Sequence, residues 1–384
     1  MLDSFMRHVT KDSFGPVSME GHEGAPLILH KFHDSFSILN WGRMPDLLQG
    51  RGRLASRFFS VLNDRYRDPE SWKTFLRSPE ALTFRKAGGS LSQGGGASSV
   101  LNALADTLPL RSNYLGSVRE TVFRELDPSR PLARTDLIPP EAEGQESGLP
   151  LCEHFPEIKG GQSLILGRAV CDFRNWRSAT GAKLLPFEIE NHFVLNPVSL
   201  ETLKTDSLSI PKTASLRMLQ DGASFDFPLM ELVSNQDPCE RRIGFPEALG
   251  ITGFSPERLQ ETLLLSAWIA AWCRYQLRGF RLHSIRLRFG LDAGDGLVLV
   301  DAFGPDDLVL EREGKWIHPQ ALISYYAKTS WFEGVVRARR HAIEFGLTDW
   351  KRLCVEPAPV LDPAVKSTFE SEYRCLGGFG GRST

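Results

Sequence analysis

SIRLRFGLDAGDGLVLVD, residues 284–301, carries the clearest local pattern in the chain. Ile285, Leu287, Phe289 and Leu291 alternate with Ser284, Arg286, Arg288 and Gly290. A period of two puts the four apolar side chains on one face of a strand. Asp292–Gly296 reads as a turn, and Leu297–Asp301 runs back. The segment predicts a β-hairpin with one apolar face and an aspartate, Asp301, at its end.

Upstream, Ser255–Leu277 has helical spacing, with Ser255 as N-cap, Pro256 as first residue and Gly279 as stop. Leu259, Leu263, Trp268 and Ala271 mark its buried side. Strand character appears at Lys183–Phe193 and Ser163–Asp172. Asp127–Pro150, rich in Pro, Glu and Gly, reads as a long loop or linker. Gly88–Gly96 is glycine-rich but lacks a GK[ST] motif, so it reads as a flexible insertion rather than a phosphate cradle. Leu54–Tyr66 predicts a helix, and Asp68-Pro69 starts another. Pro26–Phe32 and Phe36–Trp41 read as strands, followed by a turn at Gly42–Pro45. Beyond the hairpin, Pro319–Ala327 and Phe332–Phe345 read as helices and Leu376–Thr384 as a loose tail. Meander strands mixed with later helices give an α+β fold. Two intimate subdomains are expected, 1–180 with inserted loops (88–96, 127–150) and 181–350, followed by a tail 351–384.

Composition narrows the function. With 384 residues, 41% hydrophobic and 24% charged, the chain is globular rather than disordered. Lys+Arg (45) and Asp+Glu (47) nearly cancel, which disfavours a nonspecific nucleic-acid binder. No segment approaches the ~18–20 apolar residues of a membrane span, and Met1–Arg7 lacks the apolar region of a secretory signal. Six scattered cysteines form no CxxC pair, which suits reduced thiols in a cytoplasm.

Three clusters are candidates for chemistry. Lys31, His33 and Asp34 precede Asn40–Asp46 and the basic Arg51-Gly52-Arg53, a mixture suited to phosphate and Mg²⁺ or equally to a salt-bridged loop. Asp301, Asp306 and Asp307 sit at the hairpin end, where carboxylates suit a hard cation or an Asx-turn over Gly304-Pro305. Glu188, Glu190 and His192 alternate on one strand and so share a face, with Glu231 and Asp237-x-x-Glu240-Arg241-Arg242 later, a set suited to facing a metal or simply solvent on a half-buried sheet. GxSxG, HExxH and nucleotide-fingerprint motifs are lacking.

The clusters, in order, resemble phosphoribosylaminoimidazole-succinocarboxamide synthase (SAICAR synthetase), a family that uses ATP to join the amino group of aspartate to a carboxylated imidazole nucleotide. Phe32–Asp46 is similar to its early signature, Gly50-Arg51-Gly52 to its K-G step and Leu185–Ile189 to its adenine strand. Arg288–Asp292 and Val300–Asp307 are similar to its late E-F-G-x-D and D-x-x-x-P-D motifs, and Tyr325–Phe332 to a helix of the longer subgroup. The resemblance spans about two thirds of the chain, near Gly15 to Trp350, and implies antiparallel sheets and covering helices around an ATP cleft.

Departures fall on functional positions. Ser18 stands for a basic phosphate-loop residue, and Arg51 for the lysine of K-G. Ser112-Asn113-Tyr114 replaces T-H-F, and His192 replaces an arginine. Arg288 replaces the Mg²⁺-binding carboxylate of E-F-G, leaving Asp301 as metal ligand. An arginine repels the ion that this carboxylate would bind. The resemblance implies ATP and Mg²⁺, both in doubt at Ser18 and Arg288.

Two readings follow. In the first, the chain is an ATP-dependent carboxylate–amine ligase whose small-molecule acid and amine differ from those of the purine pathway. Arg51 and Asp301 would be catalytic. Lys31, Asp34, Glu188 and Ser18 would hold nucleotide, and Arg168, His192, Glu231, Asp237, Arg286 and Arg288 substrate. In the second, it is a degenerate paralogue that binds nucleotide or a partner. Self-association, or a heteromer with an active homologue, is the quaternary expectation; nucleic acid and membrane are not expected partners.

Overall fold

The structure, a computed structural model, describes residues 4–379 except 8, 40, 91–95, 128–129, 140–147, 166–167, 196–221, 235–241, 346 and 348. Strands β1 (Ser4–Arg7), β2 (Lys11–Val17) and β3 (Leu27–Phe32) begin the first sheet. β4 (Tyr114–Arg119) and β5 (Gly148–Glu153) complete it in the order β1-β2-β3-β5-β4, every pair antiparallel. Helix α1 (Arg51–Arg67) packs on β3, β5 and β4 through Phe59, Tyr114, Ile28 and Cys152. α2 (Pro69–Leu76), α3 (Pro79–Ser90) and α4 (Gly96–Ala105) pack towards the second half of the chain, while α5 (Glu120–Glu125) lies on β4 and β5.

A hairpin of β6 (Gly161–Ile165) and β7 (Arg168–Asp172) and the short α6 (Arg174–Ser178) lead into the second sheet. Its strands are β8 (Lys183–Val194), β9 (Ser224–Ser234), β10 (Arg242–Ile243), β11 (Arg281–Leu291), β12 (Leu297–Val300), β13 (Leu308–Arg312) and β14 (Lys315–Trp316). The order is β10-β9-β8-β11-β13-β14, with β12 also on β11. Helix α7 (Phe245–Thr252) precedes α8 (Pro256–Gln276), which covers β9, β8 and β11. α9 (Ile323–Tyr326), α10 (Ser330–Phe345) and α11 (Pro363–Tyr373) follow.

The hairpin forms as its alternation predicts: Arg288 pairs with Val300 and Leu291 with Leu297. Ser255 caps α8 by accepting from Arg258 N at 3.2 Å, and Asp68 caps α2. α8 is buried nearly all round from Leu264 to Cys273, because helices as well as strands pack against it. Leu263 is only partly buried.

Several expectations are corrected. Phe36–Trp41 is not a strand; its carbonyls close turns instead, from Met44 N to Phe36 O and from Trp41 N to Ile38 O. Phe36 and Ile38 are buried as core anchors, which explains an apolar run without strand pairing. Gly88 belongs to α3, and a Cβ there would lie 2.7 Å from Leu101 and 2.8 Å from Phe227, so no flexible insertion begins there. Residues 91–95 lie outside the described residues. The start of the expected tail is core, since Leu376 and Phe379 are buried and Phe379 meets Phe58 at 5.0 Å, while residues 380–384 lie outside the described residues. No described helix is long and apolar enough to cross a membrane. Cys152, Cys171, Cys273, Cys354 and Cys375 are free thiols.

Candidate functional site

The two sheets meet at Asp301, the residue following β12. Arg111–Asn113 stitches them: Leu299 N donates to Arg111 O, Asn113 N to Leu299 O, and Glu153 N to Asn113 O. Asn113 then clasps Asp301, its Oδ1 accepting from the Asp301 amide at 3.0 Å and its Nδ2 donating to Asp301 Oδ1 at 3.2 Å. Asp301 has φ of 48° and Phe303 of 71°. Non-glycine residues held there cost about 1–3 kcal/mol each and persist only where surroundings fix them.

Both Asp301 oxygens are engaged. Lys11 Nζ donates to Oδ2 at 2.9 Å, and His30 Nε2 reaches Oδ1 at 3.1 Å. His30 Nδ1 lies 3.0 Å from Ser13 Oγ. Burial, with Lys11 beside it, lowers the His30 pKa, so the ring is neutral at pH 7. It then donates from Nε2 to Asp301 and accepts the Ser13 hydroxyl at Nδ1. Burial alone would raise the Asp301 carboxyl, but Lys11 and His30 hold it well below the ordinary range.

A charged strip continues across the second sheet. Arg288 faces Glu188 across the β11/β8 pairing, and Arg286 faces Glu190. Arg288 Nε donates to Glu188 Oε1 at 2.6 Å, while Arg286 lies 3.4 Å from Glu188 Oε2 and 3.7 Å from Glu190 Oε2. Burial works against the Glu188 charge, but the two arginines outweigh it and lower its pKa. His192 Nε2 lies 2.8 Å from Glu231 Oε2, and Arg242 Nε lies 2.9 Å from Glu231 Oε1. Burial disfavours imidazolium at His192; Glu190 and Glu231 overcome this and raise its pKa. The strip remains partly open, with Arg288 37% and Arg286 28% exposed.

Asp307 joins both parts. Its Oδ2 accepts from Gly304 N at 3.1 Å, so the Gly304-Pro305 turn is closed by a side chain reaching back from Asp307 and not by an Asx-turn from Asp301. Burial pushes its carboxyl up to about 7, against Arg288 and Lys11. The folded state therefore binds this proton more tightly than the unfolded chain. Stability from this group is present below about pH 4 and is lost as pH rises towards 7. Asp307→Asn keeps an acceptor for Gly304 N and removes the titration. It is expected to leave the melting temperature near pH 4 unchanged and to stabilise at pH 8 by roughly 1–3 kcal/mol. An equal effect at both pH values would contradict this.

Of the residues singled out from sequence, the fold gathers Asp301, Glu188, His192, Glu231, Arg286 and Arg288. Asp34 and Arg51 do other work. Asp34 accepts from Gly50 N and Gly52 N at 3.2 and 2.8 Å, capping α1. Gly52 is required there, because a Cβ would lie 2.6 Å from Phe32 O. The Arg51 side chain is 0% exposed, pairs with Asp306 and donates to Ser35 O at 2.8 Å. It is fixed inside the protein by these partners and presents no side-chain surface to solvent. Lys31 alternates with His30, so it leaves the Asp301 face and lies over Phe123 instead. Ser18 is exposed, its carbonyl accepting from Leu132 N. The Arg168 side chain and Asp237 lie outside the described residues.

Lys11 and His30 were missing from the sequence-based set, Arg242 appeared only within the Asp237–Arg242 stretch, and Asn113 only within the altered T-H-F segment. A signal existed: Lys11 and Ser13 share a strand face, and Ser13 pairs with His30. Only the pairing of β2 with β3 reveals it.

The Asp301 surroundings do not fit Mg²⁺. That ion prefers near-octahedral oxygen ligands. Here one carboxylate is saturated by an ammonium, an imidazole and an amide, and Arg288 holds a second carboxylate, Glu188.

No known family profile matches the chain. A protein of Archaeoglobus fulgidus provisionally named phosphoribosylaminoimidazole-succinocarboxamide synthase is 22% identical over 210 residues, which are 53% of this chain and 61% of that protein. The chain thus matches less than two thirds of this relative's length. The SAICAR synthase of Saccharomyces cerevisiae, solved with SAICAR, superposes with a TM-score of 0.52 at 14% identity, covering 98% of this chain and 94% of that one. The synthase of Ehrlichia chaffeensis gives 0.46 at 10% identity, covering 90% and 98%. Mixed helices and antiparallel sheets in this arrangement define an α+β fold of the SAICAR synthetase type.

Proposed function

We propose that the chain is an ATP-dependent carboxylate–amine ligase of the SAICAR synthetase class, working in the cytoplasm on substrates altered from the purine pathway. The observation that supports it is the charged strip Arg288–Glu188–Arg286–Glu190–His192–Glu231 beside Asp301. Its paired but partly open arginines and glutamates suit an acid and an amine, each needing an opposite charge. ATP would enter the same seam, its phosphates near Lys11. Amide formation needs an activated acid, normally an acyl phosphate, and positioned cations must stabilise the charge that develops. The chain supplies Lys11, Arg286 and Arg288 for this.

A second reading, a degenerate paralogue binding a nucleotide or a partner subunit, is favoured by one observation. The charges in the seam neutralise one another: Lys11 with Asp301, Arg288 with Glu188, Arg242 with Glu231. Calorimetry and thermal melting with ATP and ADP separate binding from no binding. Binding with ADP release from ATP across a panel of acids and amines supports the ligase. Binding without turnover supports the paralogue. Neither heat nor a rise in melting temperature sinks both nucleotide readings.

A further inference from the structure

We infer that the ammonium of Lys11 is a tethered cation that occupies the cation position at Asp301, so that the chain excludes a divalent ion there. Three observations point to it. Lys11 Nζ lies 2.9 Å from Asp301 Oδ2, with 13% and 17% of the two side chains exposed. The other oxygen is satisfied by His30 and Asn113. Arg288, a second cation, holds Glu188 at 2.6 Å and lies close enough to interact with the Asp301 charge. An ion entering would have to displace the ammonium and then lie near both positive charges.

The tether has a structural logic. Lys11 opens β2, and Ser13, two residues on, faces the same way and orients His30. One strand thus delivers both the cation and the support of the neutral imidazole. With the ammonium removed, His30, Cys152 and Asp301 would be left with ligand atoms within 4.8 Å of one another. Such a nitrogen–sulfur–oxygen set suits Zn²⁺ better than Mg²⁺. The inference concerns the cation position alone and stands whichever way the nucleotide test falls.

The full chain is titrated with Mn²⁺, followed by electron paramagnetic resonance, and with Zn²⁺, followed by calorimetry. Wild type and Lys11→Arg are expected to bind neither ion at the Asp301 position. Lys11→Met is expected to bind Zn²⁺ at least roughly tenfold tighter than wild type, and Lys11→Met/Asp301→Asn to lose that gain. Lys11→Gln, which keeps a donor for Asp301, serves if Lys11→Met does not fold. Wild-type binding of either ion that Asp301→Asn abolishes would overturn the inference. So would a folded Lys11→Met or Lys11→Gln that gains no affinity.

Discussion

Arg51→Ala is expected to destabilise the protein by about 3–5 kcal/mol, because it leaves a carboxylate without its buried partner. The guanidinium donates to the carbonyls of Ser35 and His33 at 2.8 and 3.3 Å and pairs with Asp306. The ring of Tyr373 lies 5.7 Å from it. Removal opens a cavity under Tyr373, orphans two carbonyls and leaves Asp306 unpaired. Arg51→Lys should recover only part of the loss, since an ammonium cannot match the geometry of the fork. The pair Arg51→Ala/Asp306→Asn should be less destabilised than Arg51→Ala alone. Denaturant melts of the four proteins read this, and a loss below about 1 kcal/mol for Arg51→Ala would refute it. A pH signature accompanies it. Burial would raise the Asp306 carboxyl, but Arg51 outweighs burial and holds it below the ordinary value. Its contribution is present above the ordinary carboxylate range and is lost as pH falls through the lowered pKa. That acid-side loss should shrink in Arg51→Ala.

Trp272→Ala is expected to cost about 3–5 kcal/mol and to disturb the site from behind. Trp272 is fully buried. It stacks on Trp72 at 5.4 Å and meets Tyr66 and Phe303 at 5.4 and 5.6 Å. Its Nε1 donates to Ser71 Oγ at 3.2 Å. Phe303 is one of the two residues with positive φ beside the site, so this aromatic group holds the turn that follows Asp301. Deleting the indole removes contacts from the α8, α2 and Phe303 sides at once. Denaturant melts give the stability loss, and Trp272→Phe should recover much of it. The Asp301 region should also exchange its amides faster in Trp272→Ala. A full loss of stability with unchanged exchange there would show that the cluster supports the core but not the turn.

The hairpin, α1, α2, α8 and α10 were legible because their signals are local. Alternation, caps and a proline at the first turn act within one or two turns of chain. The strip Glu188, Glu190, His192 was legible for the same reason: alternate residues of one strand share a face. Phe36–Trp41 misled because burial, not strand pairing, explains its apolar residues. The C-terminal segment misled because its glycines suggested looseness, while Phe379 meets Phe58 and Gly377 lies close to Leu54, both on α1.

By itself the sequence determined the α+β class and the polar face of β8. It also placed Arg288 opposite expectation and Asp301 at the end of its hairpin. Only the tertiary structure decided which charges meet. Lys11 and Asp301 are 290 residues apart, as are no two groups that local pattern could join. Pairing of β2 with β3, and the stitch through Asn113, bring them within 2.9 Å. Charge compensation in a buried seam depends on distance in space, and sequence spacing carries no measure of it.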